Sequence, residues 1–218
     1  QEGGPGGQLI MRVFPAHPVV RLGLGAFAVY SSAFIVHQNR RWDEDYLSMK
    51  KIHDEQLIGE VTFIETRIDG SRGIPGDLRR DPARGGGMVL DWGVHLVDRL
   101  LVMVPHDVTH VYARLSYVKG HEVEDGFLIY LTFANGLQAT VACTTTNYIP
   151  GAKFHLDSRT GSATIDDWEM NGRVVRLVDA ANDTDAKPIL AGQGMTKTMA
   201  PRILDYAKMA KTQDNVQV

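Results

Sequence analysis

The sequence predicts an α+β fold: an open-faced, mainly antiparallel β-sheet with helices packed on one face. Three observations carry that expectation. Two capped apolar segments in the first half read as helices. The second half is a succession of short runs rich in β-branched and aromatic residues. Between those runs stand the turn signals Asn135-Gly136, Thr160-Gly161 and Asn171-Gly172, and adjacent hairpins build antiparallel sheets.

Taken in order, the first seven residues, "QEGGPGG", read as a flexible leader. The apolar run Val19 to Val36 has to be weighed as a membrane span. Arg21 interrupts it, and the uncharged remainder from Leu22 is shorter than the roughly 18 residues a crossing helix needs. It reads instead as a buried segment of a soluble protein. The expected organisation is therefore residues 1–33, a leader and apolar segment of unassigned role, followed by one domain over residues 34–218.

A helix is expected from Asp43. Asp43 is placed to cap it, Glu44 and Asp45 put negative charge in its first turn, and Gly59 stands where a left-handed residue would end it. "EVTFIETRID", Glu60 to Asp69, reads as a strand, followed by an arginine-rich loop through Gly87. A second helix then runs to the neighbourhood of Pro105. Strands are expected within 108–117, 124–133 and 137–146, with Phe127, Ile129, Leu131 and Phe133 on one face and Asn135-Gly136 as a two-residue hairpin turn. Further strands fall within 153–158, 162–167 and 173–180.

Composition narrows the function classes. The 218 residues are 44% hydrophobic and 22% charged, with a formal net charge of −3, which gives no electrostatic case for nucleic acid. Cys143 is the only cysteine, so no intrachain disulfide forms, in keeping with a reducing, cytoplasmic setting.

The chemistry-bearing stretch is "GGGMVLDWGVHLVDRLL", Gly85 to Leu101. Asp91 and His95 lie four residues apart, which on a helix stacks them on one face. A carboxylate so placed orients an imidazole and raises its basicity, the arrangement of a general base. A capping aspartate beside a packed histidine is the plainer alternative. Gly85, Gly86 and Gly87 would let the backbone approach a ligand directly before the pair. "HQNRRWDED", His37 to Asp45, groups the two arginines Arg40 and Arg41 with Trp42 for an anionic or polyhydroxylated ligand, or forms a solvated corner. "GLGAFA", Gly23 to Ala28, matches a dinucleotide fingerprint. However, the residues after it are too few for a crossover helix and a returning strand, so no nucleotide site is expected there. His106, His110 and "HEVED", His121 to Asp125, lack metal-ligand spacing and read as loop polars.

Three stretches together carry a resemblance: "VHQNRRWDEDYLSMKKIHDEQLIGEVTFIETRID", "GDLRRDPARGGGMVLDWGVHLVDRLL" and "EDGFLIYLTFANGLQATV". The chain resembles the second domain of the glucose–fructose oxidoreductase and inositol dehydrogenase family (Gfo/Idh/MocA), most closely over Phe34 to Asp167. The resemblance implies a dihydrodipicolinate-reductase-like C-terminal domain whose open sheet face makes a homo-oligomer contact. It also implies a sugar or cyclitol ligand, His95 as the base taking its hydroxyl proton, and Asp91 orienting that base. Arg41, Trp42 and Gly87 would line the substrate. NAD or NADP serves full-length family members through a Rossmann domain and an E-K-P lysine. Neither is seen in this sequence, so no cofactor is expected on this chain and it is expected to be inactive alone. The alternative is a non-catalytic dimerisation or sugar-binding module derived from that family.

Overall fold

The computed structural model describes residues 37–177 and, beyond them, the backbones of three strands over 186–191, 194–199 and 204–209. Readings that fall on residues 1–36, including "GLGAFA" and the apolar run, lie outside the described residues.

A 3-10 turn over Asn39–Trp42 leads into α1 (Glu44–Asp54). Asp43 holds the N-cap position, but its carboxylate pairs with Arg40 at 3.2 Å and caps nothing. The helix ends at Asp54, earlier than Gly59 suggested. Gly59 has φ +93°, and a Cβ there would strike the Thr160 hydroxyl, so this glycine serves the approach of the turn that carries Thr160 rather than a helix end. β1 (Val61–Asp69) follows.

The second helix has two parts. A π turn over Val89–Gly93 opens it, and α2 (Val94–Met103) continues it. Leu96, Leu100 and Met103 recur at helical spacing and are fully buried. The helix stops as Val104 turns extended ahead of Pro105, whose ring disfavours the α conformation in the residue before it.

The strands are β2 (Val108–Ser116), β3 (Gly126–Phe133), β4 (Gln138–Thr144), β5 (Phe154–Ser158), β6 (Gly161–Ile165) and β7 (Gly172–Leu177). β8 (Ala186–Ala191) and β9 (Gly194–Met199) pair only with each other, and β10 (Leu204–Met209) pairs with β7. The main sheet has eight strands in the order β10-β7-β6-β5-β1-β4-β3-β2. Every neighbouring pair is antiparallel except β1 and β4, which run parallel with Phe63 to Asp69 beside Gln138 to Thr144.

The β3–β4 turn is one residue longer than its Asn-Gly signal suggested. Gly136 N–H donates to the Phe133 carbonyl, Phe133 N–H pairs with Leu137, and Gly136 takes φ +86°. That is a three-residue loop closed by a left-handed glycine, which suits Asn-Gly as well as the two-residue form does.

Alternation sorts the two faces. Ile64, Phe127, Phe133, Val141, Phe154 and Leu156 are buried in one core with Tyr46, Met49 and Ile52 of α1 and the α2 stripe. Truncating a core residue such as Leu96 to alanine is expected to cost about 2–5 kcal/mol. The other face carries the cross-strand row Tyr112, Tyr130, Thr140, Glu65, His155 and Thr164.

Candidate functional site

Because β1 and β4 run parallel, both end on the same side of the sheet, and crevices form beyond such carboxyl ends. Here the crevice is a cleft of about 510 Å3 between the loop Gly70–Gly73, the start of the Thr145 loop and the π turn. Arg72, Arg79, Asp91, Trp92, Thr144 and Thr145 supply its polar and aromatic lining. The thiol of Cys143 also lines it, but burial and the nearby Asp91 and Asp69 carboxylates push it up to about 12. It stays protonated and is no nucleophile.

His95 stands on the first turn of α2, next to Trp92, which lines this cleft while His95 itself does not. Its Nδ1 lies 3.0 Å from Gln38 Oε1. With the Gln38 amide in this orientation its oxygen accepts, which matches a proton on Nδ1 and leaves the Nε2 lone pair free in the neutral ring. The Trp92 ring meets the imidazole edge-on at 6.2 Å between centroids. Burial, and then the Arg40 guanidinium, hold the imidazole below its ordinary range, while Asp91 pulls it back up. At neutral pH the ring is therefore neutral, with Nε2 able to take a proton.

Asp91 does not grip His95. Arg79 Nε donates to its Oδ1 at 2.9 Å, and no hydrogen bond joins the two residues expected to form the pair. The π turn explains this. It carries an i→i+5 bond and a wider turn than an α-helix, so residues four apart no longer stack over one another. Gln38 takes the orienting place, and Asp91 acts on His95 through its charge alone.

The other expected ligand residues divide. Arg41 is exposed and forks onto Asp98 of α2, Nε at 2.7 Å and Nη2 at 2.5 Å. Trp42 is 68% exposed and lines a separate hollow with Arg40, Lys153 and Trp168. Gly87 is buried, and a Cβ on it would collide with the Glu124 carboxylate, which accepts from Val89 N–H at 2.9 Å. Gly86 is equally constrained, since its Cβ would stand 2.7 Å from the Arg79 carbonyl. The close approach that Gly86 and Gly87 permit in this structure is to the protein itself, to the Arg79 carbonyl and the Glu124 carboxylate.

Around the site Lys153, Trp168 and Arg99 were not anticipated, and Arg40 and Asp45 take partners that the sequence did not announce. The Arg40 guanidinium stacks 4.7 Å over Trp92 and 5.8 Å from Trp168, and Lys153 Nζ lies 3.3 Å from the Trp168 ring centroid. Beneath them Asp45 is 2% exposed and binds Lys153 at 2.7 Å and Arg99 at 3.3 Å. Burial raises the Asp45 carboxyl, but Arg99 and Lys153 outweigh it and hold the group below the usual carboxylate range. This buried cluster ties α1, α2 and the head of β5 together.

His106 and His110 are exposed, and within "HEVED" Glu124 and Asp125 are engaged in loop hydrogen bonds. Among the described residues no group of three His, Cys, Asp or Glu side chains could hold a metal ion, and no helix is long and apolar enough to cross a membrane.

Comparison with known proteins places this geometry. The GFO/IDH/MocA C-terminal domain matches residues 46–164. The uncharacterised oxidoreductase C115.03 of Schizosaccharomyces pombe is 34% identical over 126 residues, 55% of this chain and 34% of that protein. The uncharacterised oxidoreductase YdgJ of Escherichia coli is 35% identical over 101 residues, 45% of this chain and 29% of that protein. The chain thus spans about a third or less of the length of the curated relatives it matches. Among solved structures, an NAD-binding protein from Listeria innocua is 44% identical with a TM-score of 0.74, over 84% of this chain and 54% of that one. The oxidoreductase YvaA of Bacillus subtilis, 18% identical with a TM-score of 0.56 over 76% of this chain and 50% of that one, shares the fold. With more than half of its residues matched and the open-faced α+β sheet present, the chain belongs to the GFO/IDH/MocA oxidoreductase family and carries its C-terminal domain.

Proposed function

We propose that this domain forms the substrate side of a family oxidoreductase, binding a sugar or cyclitol so that His95 Nε2 takes the proton of the hydroxyl being oxidised. One observation carries the reading. His95 is held neutral, its Nδ1 is occupied by Gln38, and its neighbours Asp91 and Trp92 line the cleft. A base of that kind works best with its pKa near or below the working pH. Asp91, fixed by Arg79, would accept a hydrogen bond from a neighbouring hydroxyl.

The described residues include no strand leading through a glycine-rich turn into a helix, the arrangement that binds a dinucleotide. None of them is assigned to NAD or NADP, and their roles are binding, orientation and proton handling. Titration of the chain with NADH and NADPH is expected to give no micromolar binding.

The test is ligand-detected NMR of the chain against a panel of hexoses, uronates and inositols. Binding by at least one of them, weakened severalfold in His95→Ala, is the expected result. No binding by any, or binding indifferent to His95→Ala, would refute the reading.

A second role has its own observation. Tyr112 and Tyr130 are exposed on the face without helices, their rings 6.5 Å apart. Exposed aromatics on a sheet face favour association, and we propose that face as a contact between copies of the chain. Light scattering should show an oligomer that Tyr130→Arg dissociates. If the site proves silent, a non-catalytic assembly module would remain.

A further inference from the structure

We infer that the cleft beside Asp91 selects an anionic hydroxylated ligand, a sugar or cyclitol bearing a carboxylate or phosphate, and that Arg72 reads its charge. This inference rests on the hydroxyl-handling role given above to His95 and Asp91.

The cleft's formal charges are two arginines against one aspartate. Arg79 is already committed to Asp91 and to Asp77, the latter at 2.6 Å. Nearby arginines are committed too: Arg80 to the Ile74 carbonyl, Arg84 to Asp81, and Arg67 to Glu65 and Asp69. Arg72 differs. It is exposed, lines the cleft, and has no hydrogen-bond or ion-pair partner among the described residues. Its charge is the unbalanced one.

The loop that carries Arg72 is fixed at both ends. Gly70 N–H donates to the Thr144 carbonyl at 2.8 Å, and Gly73 N–H to the Thr145 carbonyl at 2.9 Å. Between these anchors the N–H groups of Ser71 and Arg72 have no acceptor among the described residues. A guanidinium beside free backbone donors on an anchored loop matches a carboxylate or phosphate, which needs several donors from one side. At the other end of the same cleft stand Asp91 and Trp92, the neighbours of His95. A volume of about 510 Å3 is ample for one monosaccharide reaching both ends.

The test compares neutral, uronate and 6-phosphate forms of glucose, galactose and mannose by calorimetry and NMR, with the wild-type chain, Arg72→Gln, Arg72→Lys and His95→Ala. At least one anionic form should bind about tenfold tighter than its neutral parent, a preference that salt weakens. Arg72→Gln should remove the preference while neutral binding persists, and Arg72→Lys should keep part of it. The relative strengths of uronate and phosphate identify which anion the loop fits. Equal binding of neutral and anionic forms, or a preference untouched by Arg72→Gln, would overturn the inference alone. In that case, neutral binding that still weakens in His95→Ala would leave the proton-handling role standing. Absence of binding by every probe would overturn both.

Discussion

Arg79 and Asp91 form the ion pair around which the candidate site is arranged, Nε to Oδ1 at 2.9 Å, while His95, four residues beyond Asp91, turns to Gln38. The pair fixes a carboxylate at the cleft wall without letting it charge the imidazole fully. In the proposed site Gln38 would set the tautomer, and Asp91 would act on the basicity through its charge.

Removing Arg79 should expose that tuning. Without its cation, the Asp91 charge is uncompensated and the His95 pKa rises, so Arg79→Ala moves the imidazole titration upward in an NMR pH series. Arg79→Ala/Asp91→Asn should bring it back down. Stability should change by only about 0–1 kcal/mol, as for other partly exposed pairs. An unchanged titration in Arg79→Ala would show that Asp91 is electrostatically silent.

His95 also links folding to pH. Its folded pKa lies below its unfolded value, so between the two the unfolded chain binds more protons. Stability therefore rises with pH through that window and is lost as pH falls through it, below the ordinary histidine value. Urea denaturation between mildly acid and neutral pH should show this slope, and His95→Gln should flatten it.

Asp45 should be the costliest polar residue to remove. Asp45→Ala leaves Arg99, 3% exposed, and Lys153, 8% exposed, without their carboxylate, and breaking such a buried cluster costs about 3–5 kcal/mol. Asp45→Asn keeps the shape and should cost less. Because the folded carboxyl lies below its usual range, its contribution is present at neutral pH and lost as acid protonates it. Denaturant melts at two pH values would reveal both effects.

Gly87→Ala tests whether the glycine run serves packing or ligand binding. With φ +103° and Glu124 in the way of a Cβ, the substitution should destabilise the fold by about 1–3 kcal/mol. Glu124→Ala in the same chain should recover part of the loss. Full stability with lost ligand binding would instead return Gly87 to the binding site.

Much of the fold was legible because its signals are local. The alternation of Phe127, Ile129, Leu131 and Phe133, the Asn135-Gly136 turn and the stripe of Leu96, Leu100 and Met103 each declare an element within a few residues. The parallel pairing of β1 with β4 was not legible, since its partners lie about seventy residues apart and no turn joins them. The site was half legible for the same reason. His95 and Asp91 drew attention by spacing, but a π turn looks like an α-helix in sequence. The residues that surround them come from elsewhere: Gln38 and Arg40 meet His95 and Trp92 only once the 3-10 turn is in place, and Trp168, with Lys153 on its ring, meets Trp92 only once β5 and β6 are. "HQNRRWDED" did contain Gln38 and Arg40. Choosing these two over Arg41 and Trp42 needed the turn geometry that sends Arg41 to Asp98.

The central claim is that His95 presents a neutral Nε2 lone pair to a hydroxyl ligand. Long-range 1H–15N correlation of the histidine rings at neutral pH tests it most directly, recorded with and without the tightest-binding sugar of the panel. The account predicts a neutral His95 with its proton on Nδ1, and an Nε2 resonance that shifts when the sugar is added. An imidazolium, a proton on Nε2, or an Nε2 signal indifferent to every sugar would contradict it.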